Sequence, residues 1–376
     1  MDTTPNAGPG RGERNPTTVQ RIQLGNTVFE GANDVYVLDG ADGQLGLVDT
    51  GIATPSTREE LATGLAELGH ALEDVDSVVL THWHPDHAGL AGEIQATSGA
   101  TVRVHAADAD LVAGEATAWD RYHDLEERRF EEWRLPAESR TELRSYLDTS
   151  TRYRGETVDV TPFEDGDRLR VGGVDLDVVH LPGHAAGLCG FAFDAASVAA
   201  GTDTHIGAET DMNRDTEESQ REHGRTADAG REAFVGDAIL PKYTPNVGGA
   251  DLRVESPLRQ YVESLGRVAD AGWRRAWPGH RDPIDDPAGR ARTILTHHRD
   301  RTRRVVDVLA THGPCDVWTV SAHLFGDLEA IHILHGPGEA WAHLDHLQEA
   351  GAVEHDGHDY ALVDPSVNVD ALLPDL

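Results

Sequence analysis

The segment that most constrains this chain is residues 81–89, where three histidines and one aspartate fall within six consecutive positions. Side chains at this spacing cannot all share one face of a helix or strand, and the apolar residues 78–80 precede them, so we expect a loop that leaves a buried strand. Imidazole nitrogen and carboxylate oxygen are ligands that suit zinc and neighbouring first-row metals. The segment therefore predicts half of a two-metal site. Its candidate ligands form one pair for each metal: His82 with His84, and Asp86 with His87.

The pattern His-x-His-x-Asp-His after a short apolar strand resembles the signature of the metallo-β-lactamase superfamily of hydrolases. The resemblance implies a mixed α/β fold, a four-layer αβ/βα sandwich in which the metals lie at one edge, between two sheets. It also implies that three histidines bind one metal, that Asp, His and His bind the other, and that a further aspartate bridges the two. Other segments of the chain must supply the missing ligands.

Two turns that contain Pro-Gly-His supply the missing histidines. His184 lies in the turn that follows the predicted strand at residues 174–180 and completes the three-histidine set. The superfamily usually has Thr-Pro after this histidine, whereas the present chain has Ala-Ala. His280 ends the second turn, residues 278–280, and completes the other set.

The bridging carboxylate has two candidates, because the family pattern requires a strand that ends in Gly-Asp. Asp237 ends the apolar residues 233–236 and is followed by further apolar residues and by a predicted helix that begins at Pro257. Asp203 instead opens residues 202–230, which are dense in Asp, Glu, Thr and Arg and nearly devoid of large apolar side chains, as expected of a solvated insertion. We predict that Asp237 is the bridge and keep Asp203 as the alternative.

Three further side chains are predicted to lie near the metals. Asp49 begins an Asp-Thr-Gly turn after another apolar strand, and in the resembled family such a turn lies beneath the metals. Asp49 is therefore predicted to orient a ligand histidine; the alternative is an ordinary aspartate at the end of a strand. Lys242 and Tyr243 follow the predicted bridge closely and either contact an anionic or carbonyl group of the substrate or are ordinary loop residues.

The charge balance argues against several classes of partner. The chain has 66 acidic residues against 32 lysines and arginines, a formal net charge of -34, and Lys242 is its one lysine. Such a surface repels nucleic acid and anionic membranes at moderate salt. We interpret the composition as a halophilic adaptation to a salt-rich cytoplasm, since the Debye length falls to ~3 Å at 1 M salt.

The sequence gives no indication of membrane association. Residues 1–16 are expected to be a disordered tail without the apolar segment of a signal peptide or anchor. Elsewhere the chain has no run of about eighteen apolar residues. We therefore expect a cytoplasmic protein that acts on a small-molecule substrate.

The pattern of the chain predicts a large catalytic domain over residues 17–300. Within it, residues 106–156 have purely helical periodicity. The aromatic side chains of this helical insert either shape a lid over the substrate pocket or pack in a small core or dimer contact. An acidic insertion is predicted over residues 196–231. Residues 301–376 resemble a winged-helix domain, with two short helices and a hairpin.

Winged helices suggest DNA binding, but the candidate recognition helix at residues 338–350 carries Glu339, Asp345 and Glu349 and no Lys or Arg. Phosphate neutralisation, the main source of affinity for nucleic acid, is therefore missing. We expect this domain to serve packing or homodimerisation instead.

The site residues and the resemblance together predict a hydrolase. Two divalent metals, zinc first with iron or manganese as alternatives, can share a hydroxide that attacks a carbonyl or phosphoryl centre, with Asp86 as general base. The motifs most resemble glyoxalase II (hydroxyacylglutathione hydrolase) and thioesterase-like members, which implies a thioester, ester or lactone substrate. The main alternative is a phosphodiesterase or endoribonuclease of the winged-helix branch. A DNA-binding regulator and a metal-dependent oxidoreductase are further alternatives.

Overall fold

The computed structural model describes residues 17–26, 31–198 and 230–376. The predicted tail at residues 1–16, the alternative bridging residue Asp203 and most of the predicted acidic insertion lie outside these ranges. In the part of the chain that is described, no helix is both long enough and apolar enough to cross a bilayer.

The strands form two sheets and a separate hairpin. The first sheet has its strands in chain order: β1 Thr18–Leu24, β2 Asn33–Asp39, β3 Leu45–Val48, β4 Val75–Val79, β5 Thr101–His105 and β6 Val160–Phe163. The second sheet has the spatial order β11-β10-β9-β8-β7, from β7 Arg168–Val171, β8 Val174–His180, β9 Cys189–Asp194, β10 Arg231–Gly236 and β11 Arg275–Pro278. The hairpin pairs β12 Val353–Asp356 with β13 Asp359–Leu362.

The helices cover the outer faces of the sheets and build the insert and the C-terminal region. In chain order they are α1 Pro55–Glu67, α2 Pro85–Ala88, α3 Ala91–Ser98, α4 Ala106–Val112, α5 Ala116–Glu132, α6 Ala137–Ser150, α7 Pro257–Asp270, α8 Pro287–His312, α9 Val317–Phe325 and α10 His332–Glu349. Short 3-10 turns occur at Leu72–Asp74, Thr151–Arg154, Ala195–Ser197 and Val369–Ala371.

Three apolar clusters separate the layers of the sandwich. Side chains from the facing surfaces of both sheets, including Tyr36, Phe191 and Phe234, form the central cluster. The outer face of the first sheet packs against α1 and α3 through residues such as Leu61. The outer face of the second sheet packs against α7 and α8 through residues such as Leu265. This order of helix, sheet, sheet and helix confirms the predicted four-layer α/β sandwich.

The strand directions bring five chain segments to one edge of the sandwich. β3 and β4 are parallel neighbours, as are β10 and β11, and β8 points the same way as β10 because each is antiparallel to β9. The Cys189 amide donates a hydrogen bond of 2.9 Å to the Thr81 carbonyl and so joins the two sheets at this edge. The segments that follow these strand ends carry the predicted site residues: Asp49, the loop of residues 81–89, His184, Asp237 and His280.

Helix α1 begins and ends earlier than its sequence pattern predicts. Apolar spacing predicts a helix over residues 56–72, capped within its first two residues. Instead α1 spans Pro55–Glu67, and its cap is Thr54, whose hydroxyl accepts a hydrogen bond of 3.2 Å from the Thr57 amide. Pro55 suits the first helical position, where a missing N–H costs nothing because that N–H has no partner inside the helix.

Helix α10 also begins before its predicted start at residue 338, and it contains Pro337. The Gly-Pro-Gly run at residues 336–338 predicts a turn. Gly338, however, packs so closely against the backbone of Gly249 that a Cβ atom would overlap it. Glycine at this position permits close contact between the helix and a distant loop. That contact overrides the local preference of Gly-Pro-Gly for a turn.

The helical insert and the C-terminal region share one apolar cluster. The rings of Trp133, after α5, and Trp341, in α10, lie 5.8 Å apart, and the Arg129 guanidinium lies 4.0 Å above the Trp341 ring. Leu143 of α6 is buried in the same cluster. Most of α10 is buried, and α8 runs through the predicted boundary at residue 300 without a break. The domain limits and the winged-helix assignment stay predictions.

Val37→Ala should lower the free energy of unfolding by about 2 kcal/mol, because removal of two methyl groups leaves a cavity in a packed layer. Val37 is 1% exposed and lies between the first sheet and its helices. Val363→Ala is the matched control, since Val363 is 59% exposed, and its effect should stay within ~0.5 kcal/mol. Denaturant unfolding of both variants in one high-salt buffer measures the difference, and equal effects would contradict the layer order.

Candidate metal centre

Five histidines and two aspartates converge where the strands end. They form three overlapping groups, and the candidate ligand atoms within each group all lie within 4.8 Å of one another. The groups are His82 with His84 and His184, Asp86 with His87 and His280, and His82 with His87 and Asp237. The first two groups have the same members as the two ligand sets predicted from the sequence, and the third contains the predicted bridge.

The inner nitrogens of the three-histidine set face one another. His84 Nδ1 lies 2.9 Å from His82 Nε2 and 3.1 Å from His184 Nε2. On their outer sides, His84 Nε2 lies 2.9 Å from the Ala250 carbonyl oxygen and His184 Nδ1 lies 2.9 Å from the Asn246 carbonyl oxygen. A carbonyl oxygen can only accept, so the hydrogen of each neutral ring is on its outer nitrogen. The inner nitrogens of these two rings therefore carry lone pairs.

Asp49 organises the hydrogen bonds beneath both sets. Its Oδ1 accepts from the Thr81 amide at 2.7 Å, and its Oδ2 accepts from the Thr81 hydroxyl at 2.8 Å and from His87 Nδ1 at 2.8 Å. The Thr81 oxygen in turn accepts from His82 Nδ1 at 3.0 Å. Asp49 has a φ of 61°, a left-handed conformation that is rare outside glycine and is held here by these hydrogen bonds. The structure thus places Asp49 in contact with a predicted ligand, as the sequence predicts.

Asp237 lies between the two sets. His280 Nδ1 donates to a backbone carbonyl at 3.0 Å, and its Nε2 faces Asp86 Oδ2 at 3.5 Å and Asp237 Oδ2 at 3.6 Å. His87 Nε2 lies 3.6 Å from Asp237 Oδ1, and His184 Nε2 lies 3.6 Å from Asp237 Oδ2. One carboxylate therefore faces histidines of both sets, which is the position predicted for the bridge.

This arrangement of atoms fits divalent cations. His87 Nε2, His280 Nε2 and Asp237 Oδ1 are buried without a hydrogen-bond partner, although buried polar atoms nearly always have one. Lone pairs and carboxylate oxygens that face one another repel, whereas a divalent cation attracts all of them. The donors are imidazole nitrogen and carboxylate oxygen, the set that zinc, iron and manganese accept in proteins.

The pKa shifts divide the centre into two parts. Burial lowers the pKa of His84 to about 4, and burial together with neighbouring imidazoles lowers the pKa of His82. Burial also opposes protonation of His280, but the Asp237 carboxylate outweighs it and raises the pKa of His280 to about 9. Burial alone would raise the pKa of Asp237, yet the facing histidines hold it well below its usual range. In the metal-free protein the three-histidine set therefore favours uncharged imidazoles, whereas the carboxylates of the other set favour a protonated His280.

A buried ion network beside the three-histidine set was not predicted. Arg253 donates to Asp108 at 2.7 Å and to Asp251 at 2.6 Å. Asp108 accepts a hydrogen bond of 3.0 Å from the Trp83 amide, and Asp251 accepts one of 3.0 Å from the Trp83 indole. The network therefore fixes Trp83, which lies between two candidate ligand histidines in the sequence. The Ala186 amide donates to Asp251 at 2.9 Å and ties in the His184 turn. Asp251 and Arg253 lie outside regular elements and belong to no motif, so no sequence signal marks them.

No sequence motif marks residues 246–251 either, although this loop connects the metal centre to α10. Two carbonyls of this loop accept the ring hydrogens of His84 and His184, as described above. The Asn246 side-chain amide donates to the His335 carbonyl at 3.1 Å and to the Glu339 carboxylate at 3.1 Å, both in α10. Glu339 is itself paired with Arg301 at 2.5 Å. The C-terminal helix therefore positions a loop that orients two of the candidate ligands.

A pocket opens over the candidate ligands. The helical insert and the start of α10 supply most of its wall, which includes the apolar side chains Trp83, Trp119, Tyr122, Leu147, Ile331 and Leu334. Lys242 and Tyr243, the predicted substrate contacts, do not belong to the described residues that line it. Both are exposed, and the Tyr243 ring packs against Arg281 at 4.7 Å. A contact between these two side chains and a substrate stays a prediction.

Comparison with solved structures shows relatives that match most of the chain. A family model described as the metallo-beta-lactamase superfamily matches residues 28–280. A metallo-beta-lactamase family protein from Thermus thermophilus is 29% identical with a TM-score of 0.65, and the match covers 92% of this chain and 98% of that one. A beta-lactamase domain protein from Burkholderia ambifaria is 25% identical with a TM-score of 0.69 and 96% coverage of each chain. Both matches therefore extend into the C-terminal region.

The curated relatives are more distant. The beta-lactamase-like protein 2 homolog of Drosophila melanogaster is 22% identical over 282 residues, which are 74% of this chain and 68% of that protein. A hydroxyacylglutathione hydrolase of Fuscovulum blasticum is 30% identical over 161 residues, 43% of each chain. The second match spans less than half of either protein.

Asp237→Asn should reduce the metal content of the purified protein, because the neutral amide removes the charge that faces both sets of histidines. Asp203→Asn is the matched control and should retain the full metal content. Metal analysis by mass spectrometry after dialysis, with a parallel calorimetric titration, measures both variants. Metal loss in Asp203→Asn with retention in Asp237→Asn would reverse the assignment of the bridge.

Asn246→Ala should weaken metal affinity about tenfold, because groups that orient metal ligands typically contribute this much. The variant loses two buried hydrogen bonds to α10 and should also be about 1–3 kcal/mol less stable. Asn368→Ala removes a cap of the C-terminal 3-10 turn and should change stability without changing metal affinity. Calorimetric titration of the metal-free proteins separates the two variants, and equal affinities would rule out the orienting role of the loop.

Proposed function

The chain belongs to the metallo-beta-lactamase superfamily of hydrolases, and from that membership we propose that it cleaves a thioester, ester or lactone in the manner of hydroxyacylglutathione hydrolases. One observation carries the proposal: five imidazoles and two carboxylates converge, with buried unpartnered atoms, beneath a largely apolar pocket. Such a pocket suits the acyl part of a small molecule. The partial match to a hydroxyacylglutathione hydrolase supports this substrate class.

We assign the ligands of two metals by the three groups of side chains. One ion would be held by His82, His84 and His184, and the other by Asp86, His87 and His280. Asp237 would bind both ions. Zinc is our first assignment, with iron or manganese as alternatives. Divalent metals in such a site supply a water activated at neutral pH and a Lewis acid for the substrate oxygen.

Asp86 is our candidate for the general base. It lines the pocket floor and is nearly buried. Its Oδ2 accepts from the Asn33 side-chain amide at 3.3 Å and faces His280, which leaves Oδ1 to take the proton of the attacking water. The same oxygen can return that proton to the leaving group, so one carboxylate serves both halves of the reaction.

The pocket wall excludes water from the reaction. Trp83 follows His82 directly, and its indole is fixed by a hydrogen bond of 3.0 Å to Asp251. Ile331 and Leu334 face the same space from the C-terminal region. A dry pocket strengthens the electrostatic contacts made to the substrate carbonyl.

Phosphodiester cleavage is our second candidate. The superfamily includes nucleases, yet the described lining of the pocket contains a single arginine or lysine, Arg154, whereas polynucleotide backbones need several basic contacts. A DNA-binding regulator is disfavoured further because most of α10, the candidate recognition helix, is buried.

His84→Ala should lower the turnover of a thioester and lactone panel by about 100-fold or more, because even groups that only orient metal ligands contribute 10–100-fold. His312→Ala is the matched control, since His312 is exposed and its ring stacks on His323 at 4.0 Å. Hydrolysis is measured with metal-replete protein in high salt, which the acidic composition recommends.

Two outcomes would contradict the proposal. Retained turnover in His84→Ala would remove the metal-dependent reaction. If the protein cleaved RNA or a generic phosphodiester but no member of the panel, phosphodiester cleavage would become the assigned function in place of carbonyl hydrolysis.

A further inference from the structure

Arg154 is the one lysine or arginine among the described residues that line the pocket. It ends the last 3-10 turn of the helical insert and is half-buried. Its guanidinium carbon lies 3.3 Å from the centre of the Trp119 ring, which also lines the pocket. The pocket thus combines apolar walls with one permanent positive charge that is stacked on an aromatic face.

The backbone around Arg154 is fixed beside the metal loop. Gly155 has a φ of 76° and packs so tightly against the carbonyl of Gly89 that a Cβ atom would overlap it. The Ala53 amide donates to the Tyr153 carbonyl at 3.4 Å. Arg154 is therefore anchored next to α2, the helix that carries two candidate ligands, and its position is set by the fold.

The guanidinium has no carboxylate partner of its own. Within the described parts of the chain, no acidic oxygen lies within ion-pair distance of Arg154. Glu126 also lines the pocket, and its charge acts on Arg154. Its carboxylate, however, is hydrogen-bonded to His123 at 2.8 Å. In a chain with about twice as many acidic residues as lysines and arginines, Arg253 and Arg301, which are half-buried like Arg154, have carboxylate partners. The Arg154 guanidinium, which faces the pocket without such a partner, is therefore available to an anionic group of a ligand.

The shape of these donors indicates what would satisfy them. A guanidinium presents parallel N–H groups that match the two oxygens of a carboxylate. Its charge also offsets the repulsion that the strongly acidic chain exerts on an anion. The reacting carbonyl would lie above the candidate ligands, which line the same pocket as Arg154.

We propose that the substrate carries a carboxylate that Arg154 binds, so that the enzyme prefers acyl compounds with an apolar segment between this carboxylate and the bond to be cleaved. This inference rests on the proposed hydrolase function and adds the substrate class to it. Trp119 and Leu147 contact the apolar segment, and Arg154 fixes its charged end.

The test compares a thioester whose acyl chain ends in a carboxylate with its isosteric carboxamide. The wild-type protein should prefer the carboxylate by about 10–100-fold in kcat/KM, the range of a charge-assisted hydrogen bond. Arg154→Gln should bring this ratio close to one, mainly through KM, and Arg154→Lys should restore part of it. Arg152→Gln is the matched control: Arg152 stacks on Tyr153 in the same turn and is exposed, outside the pocket lining. It should keep the wild-type ratio.

Binding of the free dicarboxylic acid and of its monoamide, measured by calorimetry, tests the inference independently of turnover. Tighter binding of the diacid to wild-type than to Arg154→Gln protein supports it even if neither thioester is cleaved, in which case the hydrolase proposal alone fails. Equal binding to the two proteins overturns it. So does an equal loss of preference in Arg152→Gln, which would reflect general surface charge.

Discussion

Repulsion between inward-facing lone pairs and carboxylates is the interaction that the rest of this structure has to control. Each histidine of the centre donates a hydrogen bond outward from one ring nitrogen, so that its other nitrogen faces the middle. The acceptors of these hydrogens come from distant parts of the chain: Ala32, Asp49, Thr81, Asn246 and Ala250. No single segment could hold such a cluster. The sandwich holds it because parallel strand directions deliver all these segments to one edge.

The helical insert and the C-terminal region close the pocket over this edge. The insert contributes Trp119 and Tyr122 to the pocket wall, and the C-terminal region contributes Ile331 and Leu334. They also pack on each other through a common apolar cluster. The sequence left open whether the aromatic side chains of the insert shape a lid or pack in a small core or dimer contact. In the structure Trp119 and Tyr122 line the pocket, whereas Trp133 packs with the C-terminal region. The parts added to the sandwich therefore shape the pocket, while the strand ends carry the candidate metal ligands.

Acidic side chains have two distinct roles in this chain. A few lie inside, where each has a specified partner: Asp49 organises the ligand loop, Asp108 and Asp251 share Arg253, and Glu339 joins Arg301 to the loop at Asn246. Most of the other described acidic side chains lie on the surface. Arg154 differs from Arg253 and Arg301, because it lines the pocket and stacks on Trp119 instead of pairing with a carboxylate of the described residues.

The sequence alone determined the chemistry of the centre, because ligand identity depends on side-chain type and on the strand that precedes each ligand, and both are local. His82, His84, Asp86 and His87 are neighbours in the chain, and the turns with His184 and His280 follow apolar strands. Asp49, Arg154, Asn246 and Asp251 show the limit of local information. Asp49 was predicted only through a family resemblance, and the other three have no motif or period. Their positions depend on packing between segments far apart in the chain, as does the early start of α10 against Gly249. Only the tertiary structure could show these contacts, because they depend on how close and how buried the residues are in the fold and cannot be inferred from residue type alone.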